Sequence, residues 1–163
     1  MAALKLTDDL GRTLVFPHPP TRVVSLVPSD TYSVVALGAG DRLVGRPTWC
    51  EHGEAPPVGG TKDVDVDAVL ALAPQLVIAN QEENTRGALE ALAARVPVLV
   101  SLPRRVEQGV AHLARLARIL GVEQTDSARD LIRRGSALAR SGDAKGRAFT
   151  PIWMDPLMTL LTF

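Results

Sequence analysis

The stretch DVDAVLALAPQLVIA, residues 65–79, decides the fold. Asp65 is a helix-capping residue, its carboxylate free to accept from a first-turn N–H. Val66, Val69, Leu70 and Ala73 follow at the i, i+3, i+4, i+7 spacing that lines one helical face. Pro74 cannot continue a helix, and the run from Gln75 to Ala79 is short, apolar and uninterrupted, as a strand buried on both faces must be. A helix that feeds directly into such a strand is half of a β–α–β unit.

Working outward, the same plan recurs on both sides. Toward the C-terminus, Ala88, Leu89, Leu92, Ala93 and Val96 share a helical face, Pro97 to Val100 is an apolar strand, and a further helix turns Val110, Leu113, Ala114, Ala117 and Leu120 inward before Gly121 stops it. Toward the N-terminus, Arg22 to Val27 (RVVSLV) is a strand that breaks at Pro28-Ser29-Asp30, where Ser29 or Asp30 caps a helix ending at Gly38. Asp41 to Gly45 is a second, short strand, followed by a long loop punctuated by Pro47, Gly53, Pro56, Pro57, Gly59 and Gly60. Strands alternating with helices predict an α/β protein: a Rossmann-like parallel sheet with helices on both faces, occupying residues 1–121. Gln124 to Arg140, rich in Ala, Arg and Leu with Gly135 as its weak point, predicts a long backbone helix within a connecting segment 122–145. Arg147 to Trp153 then reads as one more strand, the start of a second lobe over 146–163.

Composition narrows the function. The 163 residues, 46% hydrophobic and 22% charged, suit one ordinary globular domain. Lys plus Arg and Asp plus Glu both number 18, so there is no net field to draw a polyanion, and no nucleic-acid partner is expected. Cys50 is the single cysteine, which excludes an internal disulfide and an all-cysteine zinc site. The opening residues Met1 to Asp9 lack the apolar core of a signal peptide, and no stretch approaches the roughly 20 apolar residues of a membrane span.

Enzyme signatures are also missing. Gly38-Ala39-Gly40 ends a helix rather than following a strand, Gly59-Gly60-Thr61-Lys62 has the wrong order for a phosphate loop, and no GxSxG elbow surrounds Ser25 or Ser29. No catalytic residue and no metal site are assigned.

Several ordered pieces carry a resemblance: Asp8-Asp9-Leu10-Gly11-Arg12, Pro20 to Leu26 with Pro28-Ser29, Leu37 to Gly45, Val58-Gly59-Gly60, and Leu70 to Ala79. In order and spacing the chain resembles the periplasmic-binding-protein-2 type, the helical-backbone metal receptors that deliver cobalamin, haem or ferric siderophores to ABC importers. The resemblance implies two α/β lobes joined by one long helix, a metal chelate held between them with no built-in cofactor, and importer membrane subunits as partners. It also implies an extracytoplasmic location, periplasmic or membrane-tethered, against which the missing signal peptide leaves a cytoplasmic one open. On this pattern the chain looks truncated after its first lobe. The rival is a cytosolic α/β protein, or a non-functional remnant without a transport role. A truncated tail with Ile152, Trp153, Leu157, Leu160, Leu161 and Phe163 predicts self-association.

In an open parallel sheet, ligands bind beyond the carboxyl ends of the strands. The candidates there are Pro28 and Ser29; Trp49; Thr61 and Lys62; Asn80 and Gln81; and Arg104, with Trp153 added from the second lobe. Trp49 either offers a flat apolar surface to a macrocycle or packs under its own loop. Arg104 and Arg105 either meet a ligand anion or sit solvated, and Cys50-Glu51-His52 has too few ligands for a metal. Asp67 stands where relatives carry a carboxylate that docks to the importer, and it equally suits a helix's first turn.

Overall fold

Every residue of the two central strands but the last of the longer one, Asn80, is buried, and alternate side chains enter different cores. The computed structural model describes residues 3–140 and the strand backbones of 151–154 and 157–159. Within it, β3 (Val23–Ser25), β4 (Leu43–Gly45), β5 (Leu76–Asn80) and β6 (Val98–Ser101) form one parallel sheet in the order β4-β3-β5-β6. Val23, Leu76, Ile78 and Leu99 face a core shared with α1 (Pro28–Ala36), α4 (Val106–Ile119) and α5 (Asp126–Arg140). Val24, Val77, Ala79, Val98 and Val100 face a second core closed by α2 (Val66–Ala71) and α3 (Arg86–Ala93). The two-residue period of a strand produces this division directly. Truncating a fully buried side chain such as Leu99 to alanine costs about 2–5 kcal/mol.

The strand order also positions the site. The chain steps from β3 outward to β4 through α1, then crosses back to β5 and on to β6 through α2 and α3. Because such crossovers are right-handed, the reversal sends α1 to one face and α2 and α3 to the other, and a crevice opens between β3 and β5 at the carboxyl edge.

The N-terminal segment forms an antiparallel hairpin, β1 (Leu4–Thr7) with β2 (Thr13–Phe16), which the sequence analysis did not assign although Leu4, Leu6, Leu14 and Phe16 alternate with polar or exposed neighbours. Its turn closes the outer edge of β6. Asp9 donates its N–H to Val100 O (3.1 Å), Arg12 Nη2 donates to Val98 O (3.0 Å), and the Asp8 carboxylate, with no exposed side-chain surface, accepts from Val100 N (3.4 Å). Asp8 also binds Arg12 and the N–H groups of Leu10 and Arg12, so the turn does for β6 what another strand would do.

Three expectations need correction. Neither Ser29 nor Asp30 caps α1: Val27 is the N-cap without a side-chain bond, and Pro28 takes the first helical position, where its missing N–H leaves no partner unsatisfied. The second strand is Leu43–Gly45, because Gly40–Arg42 winds into a 3₁₀ turn. Asp65 does cap α2, accepting from Ala68 N at 2.9 Å, which contributes about 1 kcal/mol. Gly135 is no weak point, since a Cβ there would sit 3.1 Å from Val110 Cγ2, so the glycine lets α5 lie close along α4.

α5 is 15 residues, about 22 Å long, and its Ala128 lies fully buried in the lobe's own core. Beyond it, β7 (Pro151–Met154) pairs antiparallel with β8 (Leu157–Thr159). The side chains of Ile152, Trp153 and Leu157, and the whole of Leu160, Leu161 and Phe163, lie outside the described residues, as does the linker 141–150. Among the described residues no helix is long and apolar enough to cross a membrane.

Candidate ligand surface at the carboxyl edge of the sheet

Four loops meet at the carboxyl edge, each held by its own set of bonds. After β3, Pro28 is half-buried and Ser29 exposed at the start of α1. After β4, Arg46 Nη1 donates to Cys50 O (2.7 Å) and Pro47 O (3.2 Å), and Cys50 N donates to Pro47 O (3.1 Å). This tightens residues 47–50 into a turn with Trp49 at its tip, 85% exposed. Trp49 therefore does not pack under its own loop. A tryptophan so placed offers a flat apolar face and an N–H to whatever lies in front of the sheet.

Next to that turn the structure adds Tyr32, which no sequence pattern singled out. The Tyr32 ring, half exposed on α1, meets the His52 ring at a centroid distance of 4.6 Å and a 57° tilt. Cys50 is buried with its thiol 3.5 Å from His52 O and 4.0 Å from Pro28 O. Cys50 and His52 thus serve the loop's packing on α1, and no group of three or more candidate metal ligands occurs among the described residues.

Asn84 binds the middle of the edge together, and it too was missed. It is 4% exposed at the β3/β5 crevice; its Nδ2 donates to Leu26 O (3.2 Å) and Thr61 O (3.0 Å), and its Oδ1 accepts from Asn80 N (2.9 Å). One amide therefore ties the segments following β3, β4 and β5. The available signal was an Asn four residues after a strand's last Asn, a pattern too common to single out.

Asn80 itself is committed to structure: its Oδ1 accepts from Glu82 N (2.8 Å) and Glu83 N (3.2 Å), and its Nδ2 donates to Ser101 Oγ (3.3 Å). Thr61 is half-buried, and Lys62 Nζ donates to Glu82 O, clipping the long loop to the turn after β5. Gln81 and Arg104 are exposed, and the Arg104 N–H bonds Gln108 Oε1 (2.7 Å) at the start of α4. The side chain of Trp153 lies outside the described residues. Asp67 is exposed in the first turn of α2.

A half-open cavity of about 490 Å³ lies beside this surface, between the hairpin turn and α3, lined by Leu10, Arg12, Gln81, Asn84, Leu89 and Val100 among others. Of the predicted residues it takes in Gln81. Its arginines are engaged, Arg12 with Asp8 and Arg86 with Glu90.

Below the edge runs a polar chain, buried at His112 and Asp30 and exposed at Asp9. His112 Nε2 lies 2.9 Å from Asp30 Oδ1, His112 Nδ1 lies 2.9 Å from Arg115 Nη2, and Arg115 also binds Asp9 at 2.7 Å. The Arg115 hydrogen bond holds the Asp9 carboxyl below its ordinary range, helped by the Leu102 N–H (2.7 Å) and opposed by partial burial.

Comparison with known proteins agrees with this architecture. Residues 23–136, from β3 to within α5, match the model of a family described as periplasmic binding protein. A vitamin B12-binding protein of Yersinia pestis is 31% identical over 147 residues, 85% of this chain and 52% of the relative, so the chain spans about half the length of the curated relatives it matches. Among solved structures, a periplasmic heme binding protein from Pseudomonas aeruginosa superimposes with a TM-score of 0.66 at 31% identity, over 75% of this chain and 45% of that one. The periplasmic vitamin B12 binding protein of Vibrio cholerae gives a TM-score of 0.70 over 88% and 60% of the two chains; at 24% identity it speaks for the fold alone.

Proposed function

The chain belongs to the periplasmic binding protein family, and on that premise we propose that it acts in substrate capture for an ABC importer, with a planar tetrapyrrole-type metal chelate, a corrinoid or a porphyrin, as its ligand class. The observation that carries this is Trp49, projected from a turn fixed by Arg46 at the carboxyl edge of a parallel sheet. A flat macrocycle needs an apolar face broad enough to stack on, whereas a ferric siderophore is compact and gains less from one indole. Names of the relatives point the same way, one to vitamin B12 and one to heme. Pro28, Ser29, Thr61, Lys62, Gln81 and Arg104 complete the proposed contact surface, while Asn80 contributes through its turn.

An extracytoplasmic location and importer membrane subunits as partners follow from the family reading, with Asp67 offered to the membrane partner. The relatives are binding proteins, which supports transport binding over a cytosolic α/β protein without that role.

Absorbance titration with haem, cobalamin and a ferric siderophore tests the proposal. The expected result is saturable binding of haem or cobalamin that weakens at least about tenfold in Trp49→Ala, the loss of one stacking anchor. Equal binding by Trp49→Ala, or saturation with the siderophore alone, overturns it.

A further inference from the structure

The chain of bonds through His112 has an orientation that hydrophobic packing does not require. A guanidinium carries donors alone, so the His112 Nδ1 facing Arg115 must accept, and the ring hydrogen is assigned to Nε2, which donates to Asp30 Oδ1. Arg115 in turn donates from Nη1 to Asp9 Oδ1 (2.7 Å) and Thr7 O (3.2 Å) and from Nη2 to Asp9 Oδ2 (3.1 Å). Asp9 Oδ2 then accepts from Leu102 N (2.7 Å). The bonds run without a gap from the first turn of α1 to the loop after β6, joining positions 9, 30, 102, 112 and 115.

Both ends of this chain lie on the proposed ligand edge. Asp30 directly follows Pro28-Ser29, and Leu102 directly precedes Pro103-Arg104. Arg115 Nε is buried without a hydrogen-bond partner, so the guanidinium is aimed by its two terminal nitrogens, one of which His112 holds. Loss of that contact leaves Asp9 and Thr7 O to hold the arginine.

We propose that His112 is a positioning residue: through Asp30 on one side and Arg115 and Asp9 on the other, it sets the separation between the Ser29 rim and the Leu102–Arg104 rim of the ligand edge. The consequence for ligand affinity rests on the substrate-binding reading above; the mechanical coupling does not. A purely space-filling role makes the opposite prediction, because replacing a buried polar network by apolar groups of similar volume is often neutral.

Amide hydrogen exchange separates the two. His112→Gln keeps a donor toward Asp30 and moves the acceptor off the Nδ1 position that faces Arg115. The Leu102 amide should then exchange about tenfold faster, as expected for weakening a hydrogen bond to a charged group. The Thr31 amide, bonded to Val27 O in α1, and the Val77 amide, bonded to Pro97 O in the sheet, should keep their rates. An unmoved Leu102 amide, or equal acceleration of all three, overturns the coupling. Arg115→Lys, whose single ammonium cannot hold His112 Nδ1 and both Asp9 oxygens together, is expected to give the same pattern and serves if His112→Gln does not fold.

Titration of the same variants with haem and with cobalamin reads the functional half. Affinity should fall about tenfold in step with Leu102 exchange. Unchanged affinity with a loosened Leu102 amide overturns the positioning role, whereas a wild-type protein that binds neither probe overturns the substrate-binding reading and leaves the exchange data to decide the coupling.

Discussion

The two outer strands of the sheet are closed off by different materials. At β6 the closing element is a short turn whose charged side chains, Asp8 and Arg12, join one backbone N–H in pairing the strand. Just past the end of β4 it is backbone: Arg46 N donates to Pro56 O (3.1 Å), Val58 N to Arg46 O (2.9 Å), and Thr48 N to Gly59 O (2.9 Å). The ionic closure takes few residues and leaves nothing to spare. The backbone closure takes a long loop, and the residues between its two sides are released to project Trp49.

This contrast can be broken most strongly at Asp8. Asp8→Ala removes every bond its carboxylate accepts, from Leu10 N, Arg12 N, Arg12 Nε and Nη2 and Val100 N, and at about 1 kcal/mol each should cost about 3–5 kcal/mol in denaturant unfolding. At the other edge the sensitive point is backbone conformation. Gly59 has φ +96°, and a Cβ there would lie 2.4 Å from Asp63 O, so Gly59→Ala should cost about 2–3 kcal/mol by the same measurement. A loss under about 0.5 kcal/mol at either position would mean that the edge is held otherwise.

Acid sharpens the contrast further. Because Asp9 is held below its ordinary value of 3.8, its contribution is fully present above that pH and is lost as pH falls from there through the lower folded value. Unfolding curves collected from pH 6 to pH 2 should show this loss in the wild type and less of it in Asp9→Asn, and identical slopes would contradict it. The smallest effect belongs to Trp49: with its side chain in solvent, Trp49→Ala should alter stability by less than about 0.5 kcal/mol, whatever it does to ligand binding. A larger loss would show that the displayed indole also braces its loop.

The parts of the molecule legible in the sequence were those governed by period and punctuation. Residues 65–79 announce their cap, helix, break and strand because each depends on neighbours within four positions. The candidate loops followed from the parallel sheet, and Trp49 could be named because an aromatic in a proline- and glycine-rich loop stands out. What stayed hidden depends on distant partners. His112 and Asp30 are 82 positions apart, Arg115 and Asp9 are 106 apart, and none of these residue types is unusual where it stands. Asp30 misled for a physical reason, since a carboxylate after a strand is a good cap until a proline takes the first helical position and turns it inward. The hairpin turn was quoted as a motif without its purpose being visible, because the purpose is a strand nearly ninety residues away.

Gly135 also governs aim. Helices that meet through a missing side chain have a single depth at which they fit, and the notch against Val110 leaves α5 little freedom to roll or tilt on α4. The helix ends five residues later at Arg140. One absent methyl group therefore works like the sight on a barrel, fixing the bearing on which the chain departs from the lobe.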